Sequence, residues 1–242
     1  GDRIQIMGED QDGKTDDILP IVVKAEALVT SLNRLSSGTF EGRLLAPIPH
    51  GDDEELEELL GKNHSSVIIR FSIRGGGILD RCLFLSGGDA EVAIWERLWG
   101  KHGTYNADWL SYDILQAPHH CSWHSLSYDS YSTYGEDAEV CGDARSALAQ
   151  IRKGAVVVAS CKIIDPGEAD PPSDRAKREY ISIIDGADDR FICVADAWDD
   201  DERALQYDIS SSGVIKAVKS AAKAAVAALG IGATAAQTRS HG

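Results

Sequence analysis

Two short stretches of the sequence carry the side chains most able to do chemistry. An apolar run over residues 82–86 is followed by Gly87-Gly88-Asp89. A second run over residues 112–117 is followed by Pro118, His119-His120-Cys121 and His124. Carboxylate and imidazole groups are common protein ligands of zinc. Strand ends in an open α/β sheet line the crevice where ligands bind, so two such stretches in succession indicate one site built from separate strands. The sequence therefore predicts half of a metal site.

The elements around these stretches follow a definite order between residues 43 and 175. They are Asn63-His64-Ser65-Ser66, an apolar strand, a Gly-rich hairpin, a strand ending in Gly88-Asp89, an amphipathic helix, Ala107-Asp108-Trp109-Leu110, and a strand ending in His119-His120-Cys121-Ser122. This order resembles the C-terminal half of metallo-β-lactamase-fold hydrolases. Within that family it is most similar to the hydrolase domain of bacterial DNA-uptake channels.

The resemblance implies a fold, a chemistry and a ligand set. The fold is an α/β, four-layer αββα sandwich that is incomplete in this chain. Asp89 would bridge two metal ions and His119 would ligate one of them, with zinc as the metal and manganese as the alternative. The implied reaction is hydrolysis, with a phosphodiester favoured over a lactam as substrate. His120, His124, Cys121 and Asp170 are possible additional ligands, Asp170 because it stands where the family often carries a His before Pro.

The chain also departs from the family pattern. A His-x-His-x-Asp-His signature normally holds most of the ligands, and the histidines before His119 (His50, His64 and His102) lack that spacing. The remaining ligands are therefore expected from a missing N-terminal half or from a partner protein chain. The opening Gly1-Asp2-Arg3, which reaches strand-like residues at once, is typical of a fragment. The alternative function is a non-catalytic scaffold or binding subunit derived from the same fold.

Simpler roles exist for the same residues. Asp89 stands where a helix N-cap belongs, and the histidines could satisfy backbone groups of their loop. If that loop were helical, His120 and His124 would share a face and could chelate one ion. Cys121 beside two histidines also permits a nucleophile, although no orienting Asp or Asn is identifiable.

Composition limits the partners and the compartment. The formal net charge of −15 argues against broad affinity for nucleic acid, so a nucleic acid or nucleotide enters only as a substrate. The cysteines form no Cys-x-x-Cys pair and no secretion signal opens the chain, which predicts a cytoplasmic protein with reduced thiols. The apolar stretch 224–236 is too short to span a membrane. We predict a metallo-β-lactamase-like domain over residues 1–212 and an Ala-rich basic helix and tail over 213–242.

Hydrophobic periodicity and turn residues predict the elements that position these groups. Strands are expected over 67–73 and 79–85 around a Gly-rich tip, over 155–161, and as a last pair, 191–195 with 204–209, around an acidic tip at 199–202. Helices are expected over 52–60, 90–99 and 139–153, and from Ser173 or Asp174 to Ile184.

Overall fold

The computed structural model describes residues 4–8, 16–32, 35–49, 65–169, 171–201 and 205–216. Its α-helices are α1 (Val92–His102), α2 (Tyr131–Tyr134), α3 (Gly142–Leu148), α4 (Asp174–Ile183) and α5 (Val194–Asp201). Its strands are β1 (Ile6–Met7), β2 (Val22–Val23), β3 (Leu28–Val29), β4 (Ser31–Leu32), β5 (Leu35–Ser36), β6 (Phe40–Ala46), β7 (Ile68–Gly75), β8 (Ile78–Ser86), β9 (Tyr112–Gln116), β10 (Ile151–Ala159), β11 (Phe191–Cys193), β12 (Tyr207–Ser210) and β13 (Gly213–Lys216).

A seven-stranded mixed sheet organises the chain, which makes it an α/β protein. The strand order is β11-β10-β9-β8-β7-β6-β3. Strands β8 to β11 run parallel, and β3, β6, β7 and β8 pair antiparallel. The predicted hairpin is confirmed as β7 and β8, whose tip has positive φ at Gly76 and Gly77. The carboxyl ends of β8, β9, β10 and β11 therefore meet at one edge.

The hydrophobic core lies on one face of this sheet. The parallel strands are joined through α1, α3 and α4, and right-handed crossovers in one direction place all three helices on that face. Leu85, Leu115, Val157 and Phe191 are cross-strand neighbours across β8 to β11. Their side chains form one buried cluster with Trp95 of α1. The apolar stripe of α1 thus fixes the helix that follows the Asp89 loop.

The opposite face carries a second apolar row. Phe71, Phe84, Ile114 and Val156 are cross-strand neighbours on β7 to β10. The rings of Phe71 and Phe84 stack with centroids 6.2 Å apart. Phe71, Phe84 and Val156 remain partly exposed, so this face is less covered than the helix-bearing one.

Two predictions about the second half of the chain are wrong. The helix expected over 139–153 is confined to α3, because Ile151 already pairs with Tyr112 as the start of β10. The expected last strand pair does not form, since β11 pairs in parallel with β10, and β12 pairs with β13. Residues 199–201 of the predicted acidic tip belong to α5.

Some predictions fall where no structure is described. The acidic helix expected over 52–60 and the tail from residue 217 lie outside the described residues. Residues 213–216 form β13. Across the described part of the chain, every helix is too short or too polar to cross a bilayer.

Candidate metal centre at the strand ends

The loop after β8 depends on two glycines that allow close approach of its neighbours. A Cβ on Gly87 would lie 2.6 Å from Pro118 Cγ. Gly88 has φ +52°, and a Cβ there would lie 2.8 Å from the carbonyl oxygen of Val67. Both contacts are shorter than side chains accept, and the left-handed φ also favours glycine. Gly87 therefore lets the Asp89 loop pack against the loop after β9, and Gly88 lets it pack against the residue that precedes β7.

The loop after β9 has an unusual backbone. His119, His120 and Cys121 have φ values of 46°, 56° and 67°, and a left-handed residue other than Gly costs roughly 1–2 kcal/mol. Such strain persists where the surroundings determine the conformation, and it concentrates at functional sites. Two backbone hydrogen bonds hold Cys121: its N–H donates to Pro118 O (3.0 Å), and its carbonyl accepts from the N–H of Ser173 (2.9 Å).

The two loops are joined by a hydrogen bond. The N–H of His119 donates to the carbonyl oxygen of Gly88 over 2.9 Å. Asp89 is the next residue after Gly88, and its side chain is exposed. The structure therefore brings together the loops that carry the predicted carboxylate and imidazole.

Asp89 is not a helix cap. Helix α1 begins at Val92, and its N-cap is Glu91, whose side chain makes no capping bond. The capping role considered for Asp89 is therefore wrong. Its carboxylate lies outside the helix, at the end of β8.

His119 is half-buried beside an acid that the sequence pattern did not single out. Its Nδ1 lies 4.0 Å from Glu91 Oε1, and 28% of its side chain is exposed. Within the described residues, this buried Nδ1 has no hydrogen-bond partner. Glu91 adds a second carboxylate to the cluster. The sequence pattern does not single out Glu91, because an acidic residue at this point is also typical of the start of a helix.

His120 has the hydrogen bond expected of an oriented ligand. Its Nδ1 lies 2.8 Å from the carbonyl oxygen of Ser160, the residue after β10. If Nδ1 carries the proton, it donates to this carbonyl and Nε2 keeps its lone pair, the arrangement common among metal-ligating histidines. The His119 and His120 ring centroids are 6.4 Å apart. A third strand end thus contributes to the same edge.

His124 and Cys121 are placed less favourably. The loop contains two separate 3₁₀ turns, Pro118–His120 and Trp123–Ser125, so His120 and His124 do not share a helical face. Cys121 is fully buried, which is unsuitable for a nucleophile that must reach substrate. Asp170 lies outside the described residues.

The donors fit a partial metal centre. An exposed carboxylate, a half-buried imidazole with an unpartnered nitrogen and an oriented second imidazole are suitable zinc ligands. However, the described ranges contain no group of three or more His, Cys, Asp or Glu side chains arranged to hold a metal ion. A working centre built on these residues requires donors from outside the described part.

Comparison with known proteins does not identify a family. No protein-family description matches the chain, no curated protein is similar to it, and no solved structure matches its fold.

Proposed function

We propose that this chain is the C-terminal part of a zinc-dependent hydrolase of the metallo-β-lactamase type. Asp89 would bridge two ions and His119 would ligate one, as the resemblance implies. The observation that carries the proposal is the hydrogen bond from His119 N–H to Gly88 O, which joins the two ligand-bearing loops. Further ligands would come from a preceding segment or a partner chain.

The chain's own residues would bind and orient the ions. Zinc supplies Lewis acidity and, when bound, lowers the pKa of a coordinated water towards neutrality. The carbonyl of Ser160 would orient His120 through its 2.8 Å contact, and the Glu91 carboxylate would support His119 from 4.0 Å. Manganese accepts the same oxygen and nitrogen donors. We favour a phosphodiester as substrate, by resemblance.

The sheet face opposite the helices offers a surface on which a partner segment would pack. Phe71 and Phe84 are cross-strand neighbours and are partly exposed. In a four-layer sandwich this face would pack against a second sheet, which would bury apolar area. The same segment would bring the remaining metal ligands.

Hydrolysis of a generic phosphodiester tests the proposal. The complete gene product that carries this chain is assayed with bis(p-nitrophenyl) phosphate and added zinc or manganese. We expect metal-dependent turnover that falls by at least about a hundredfold in Asp89→Ala and His119→Ala, since each removes a direct ligand. Asp143→Ala, at an exposed position of α3, serves as the matched carboxylate control. Equal turnover in all four proteins would refute the proposal.

A non-catalytic scaffold is the second candidate. It is favoured by the lack of a three-donor group within the described ranges. On this alternative the complete gene product would hold no metal, and Asp89→Ala would leave every activity unchanged. Metal retention that depends on Asp89 excludes it.

A further inference from the structure

A cavity of about 470 Å³ lies between the parallel strands and the β12–β13 hairpin. Its walls include Arg81 at the start of β8, Asp113 on β9, Arg152 and Lys153 on β10, Asp189 before β11 and Tyr207 on β12. The volume is typical of a small-molecule site. β8 ends at Ser86, five residues after Arg81, which places Arg81 roughly 17 Å from the carboxyl end of its strand.

An irregularity in β10 forms one wall. Ile151 pairs with Tyr112 and Val156 pairs with Ile114, so residues 152–155 all lie opposite Asp113 alone. Gly154 within this bulge has φ +82°. Bulges re-aim side chains and occur next to functional sites. Here the bulge directs Arg152 and Lys153 to the cavity.

The β12–β13 hairpin forms the facing wall. It lies against the tip of the β7–β8 hairpin, where a Cβ on Gly75 would be only 2.0 Å from the carbonyl oxygen of Ser210. Only a glycine permits this approach. The close fit holds Tyr207 and Gly213 at the cavity.

One cation of the cavity is fixed in place. Arg152 Nη1 donates to Asp113 Oδ2 and to the Asp80 carbonyl, each at 2.9 Å. Asp113 Oδ2 also accepts from the N–H of Leu83 at 2.7 Å. Arg152 is therefore oriented before any ligand arrives, which lowers the entropy cost of binding.

Two buried polar atoms of the lining are left unpaired. Across the described ranges, neither Arg81 Nε nor Tyr207 Oη has a hydrogen-bond partner. Both atoms are shielded from solvent, so a ligand in the cavity would contact Arg81 through its Nη groups and not through Nε.

The lining has the charge of an anion site. Three cationic side chains against two carboxylates, Asp113 and Asp189, leave one positive charge in excess, in a chain whose formal net charge is −15. Arginine donors match the geometry of phosphate oxygens. Val156 and Ile192 add an apolar wall beside these donors.

We propose that this cavity binds a small phosphate monoester with an apolar body. Arg81, through its Nη groups, and Lys153 donate to the phosphate oxygens, and Arg152, held by Asp113, adds a fixed positive charge beside them. Val156 and Ile192 contact the body of the ligand. The site is separate from the metal centre and does not depend on it.

Titration calorimetry with phenyl phosphate tests this site, in EDTA so that no metal contributes. We expect saturable binding to the full chain, stronger than that of inorganic phosphate because of the apolar wall, and no binding of phenol. Arg81→Met weakens binding by about tenfold through loss of a charged donor. Lys153→Met, which removes an exposed cation of the lining, weakens it by about three- to tenfold.

Two control variants decide the outcome. Lys162→Met removes an exposed cation outside the cavity and should bind as the wild type does, and Asp89→Ala should also bind unchanged. The proposal is overturned if the wild type shows no saturable binding up to about 10 mM phenyl phosphate, a concentration well above a millimolar Kd. It is equally overturned if Arg81→Met and Lys153→Met both bind like the wild type, or if Asp89→Ala abolishes binding.

Discussion

Replacing Gly88 with alanine tests how the two ligand-bearing loops are held together. Gly88 has φ +52°, and an added Cβ would lie 2.8 Å from Val67 O. Its own carbonyl accepts the hydrogen bond from His119 N–H at 2.9 Å. Because the close neighbour is backbone, it cannot rotate away as a flexible side chain would.

The expected cost has two parts. An alanine in the left-handed region costs roughly 1–2 kcal/mol. Forcing extra volume into a packed site costs typically about 1–3 kcal/mol. We therefore expect Gly88→Ala to lower the free energy of unfolding by about 2–5 kcal/mol, a large share of the roughly 5–15 kcal/mol typical of a domain.

Equilibrium unfolding in urea measures this change, and Gly100→Ala is the matched control. Gly100 lies within α1, where an added Cβ meets nothing within 4 Å. Alanine there should stabilise the protein by about 0.5–1 kcal/mol, because glycine loses more backbone entropy in a helix. The same substitution is thus expected to act with opposite signs at the two positions.

A free energy of unfolding for Gly88→Ala within about 0.5 kcal/mol of the wild type would refute the reasoning. It would mean that the loop can shift away from Val67 at little cost. The position of the Gly88 carbonyl, which accepts from His119 N–H, would then not be fixed by this contact.

Three further outcomes follow from buried or capping groups. Burial lowers the pKa of His102, so the stability this group contributes is fully present above the unfolded pKa of about 6.5 and is lost as pH falls below it. His102→Phe should remove that loss in urea unfolding at about pH 7.5 and 5.5, and an unchanged pH dependence would contradict this. Ser173 Oγ accepts from Ala176 N–H at 3.3 Å, so Ser173→Ala should lower the free energy of unfolding by about 1 kcal/mol. A change near zero in urea unfolding would show that this capping bond does not stabilise the helix. Burial, together with the neighbouring Cys193 thiol, raises the pKa of Cys161. Iodoacetamide should therefore alkylate Cys161 in native protein at least about tenfold more slowly than in unfolded protein. Peptide mass spectrometry measures both rates, and equal rates would contradict this expectation.

The sequence was sufficient where local pattern and tertiary structure agree. The β7–β8 hairpin follows from two apolar runs around glycines, and α4 begins at Asp174 after Ser173, as its capping residue predicted. The positions of Asp89 and His119 at strand ends were predictable for the same reason. Apolar runs that end in turn residues fix where a strand stops.

The sequence was insufficient where distant pairing overrides local pattern. Residues 149–153 continue the helical pattern of α3, yet Ile151 is drawn into the sheet by pairing with Tyr112. The Phe191 strand pairs with β10 and not with the later segment. Such partners depend on topology and not on propensity.

The cavity could not be predicted either. Its lining comes from β8, β9, β10, the residues before β11 and the β12–β13 hairpin, which are far apart in the chain. Arg81 and Lys153 each resemble an ordinary surface residue when taken alone. Only their convergence around one cavity indicates a site.

Metal content of the complete gene product tests the central claim most directly. Inductively coupled plasma mass spectrometry on the purified protein should find zinc or manganese at one to two ions per chain, as a bridged centre requires. Asp89→Ala should lose most of this metal, and Asp143→Ala should retain it. A wild-type protein without bound metal, or an Asp89→Ala variant with undiminished metal content, would contradict the account.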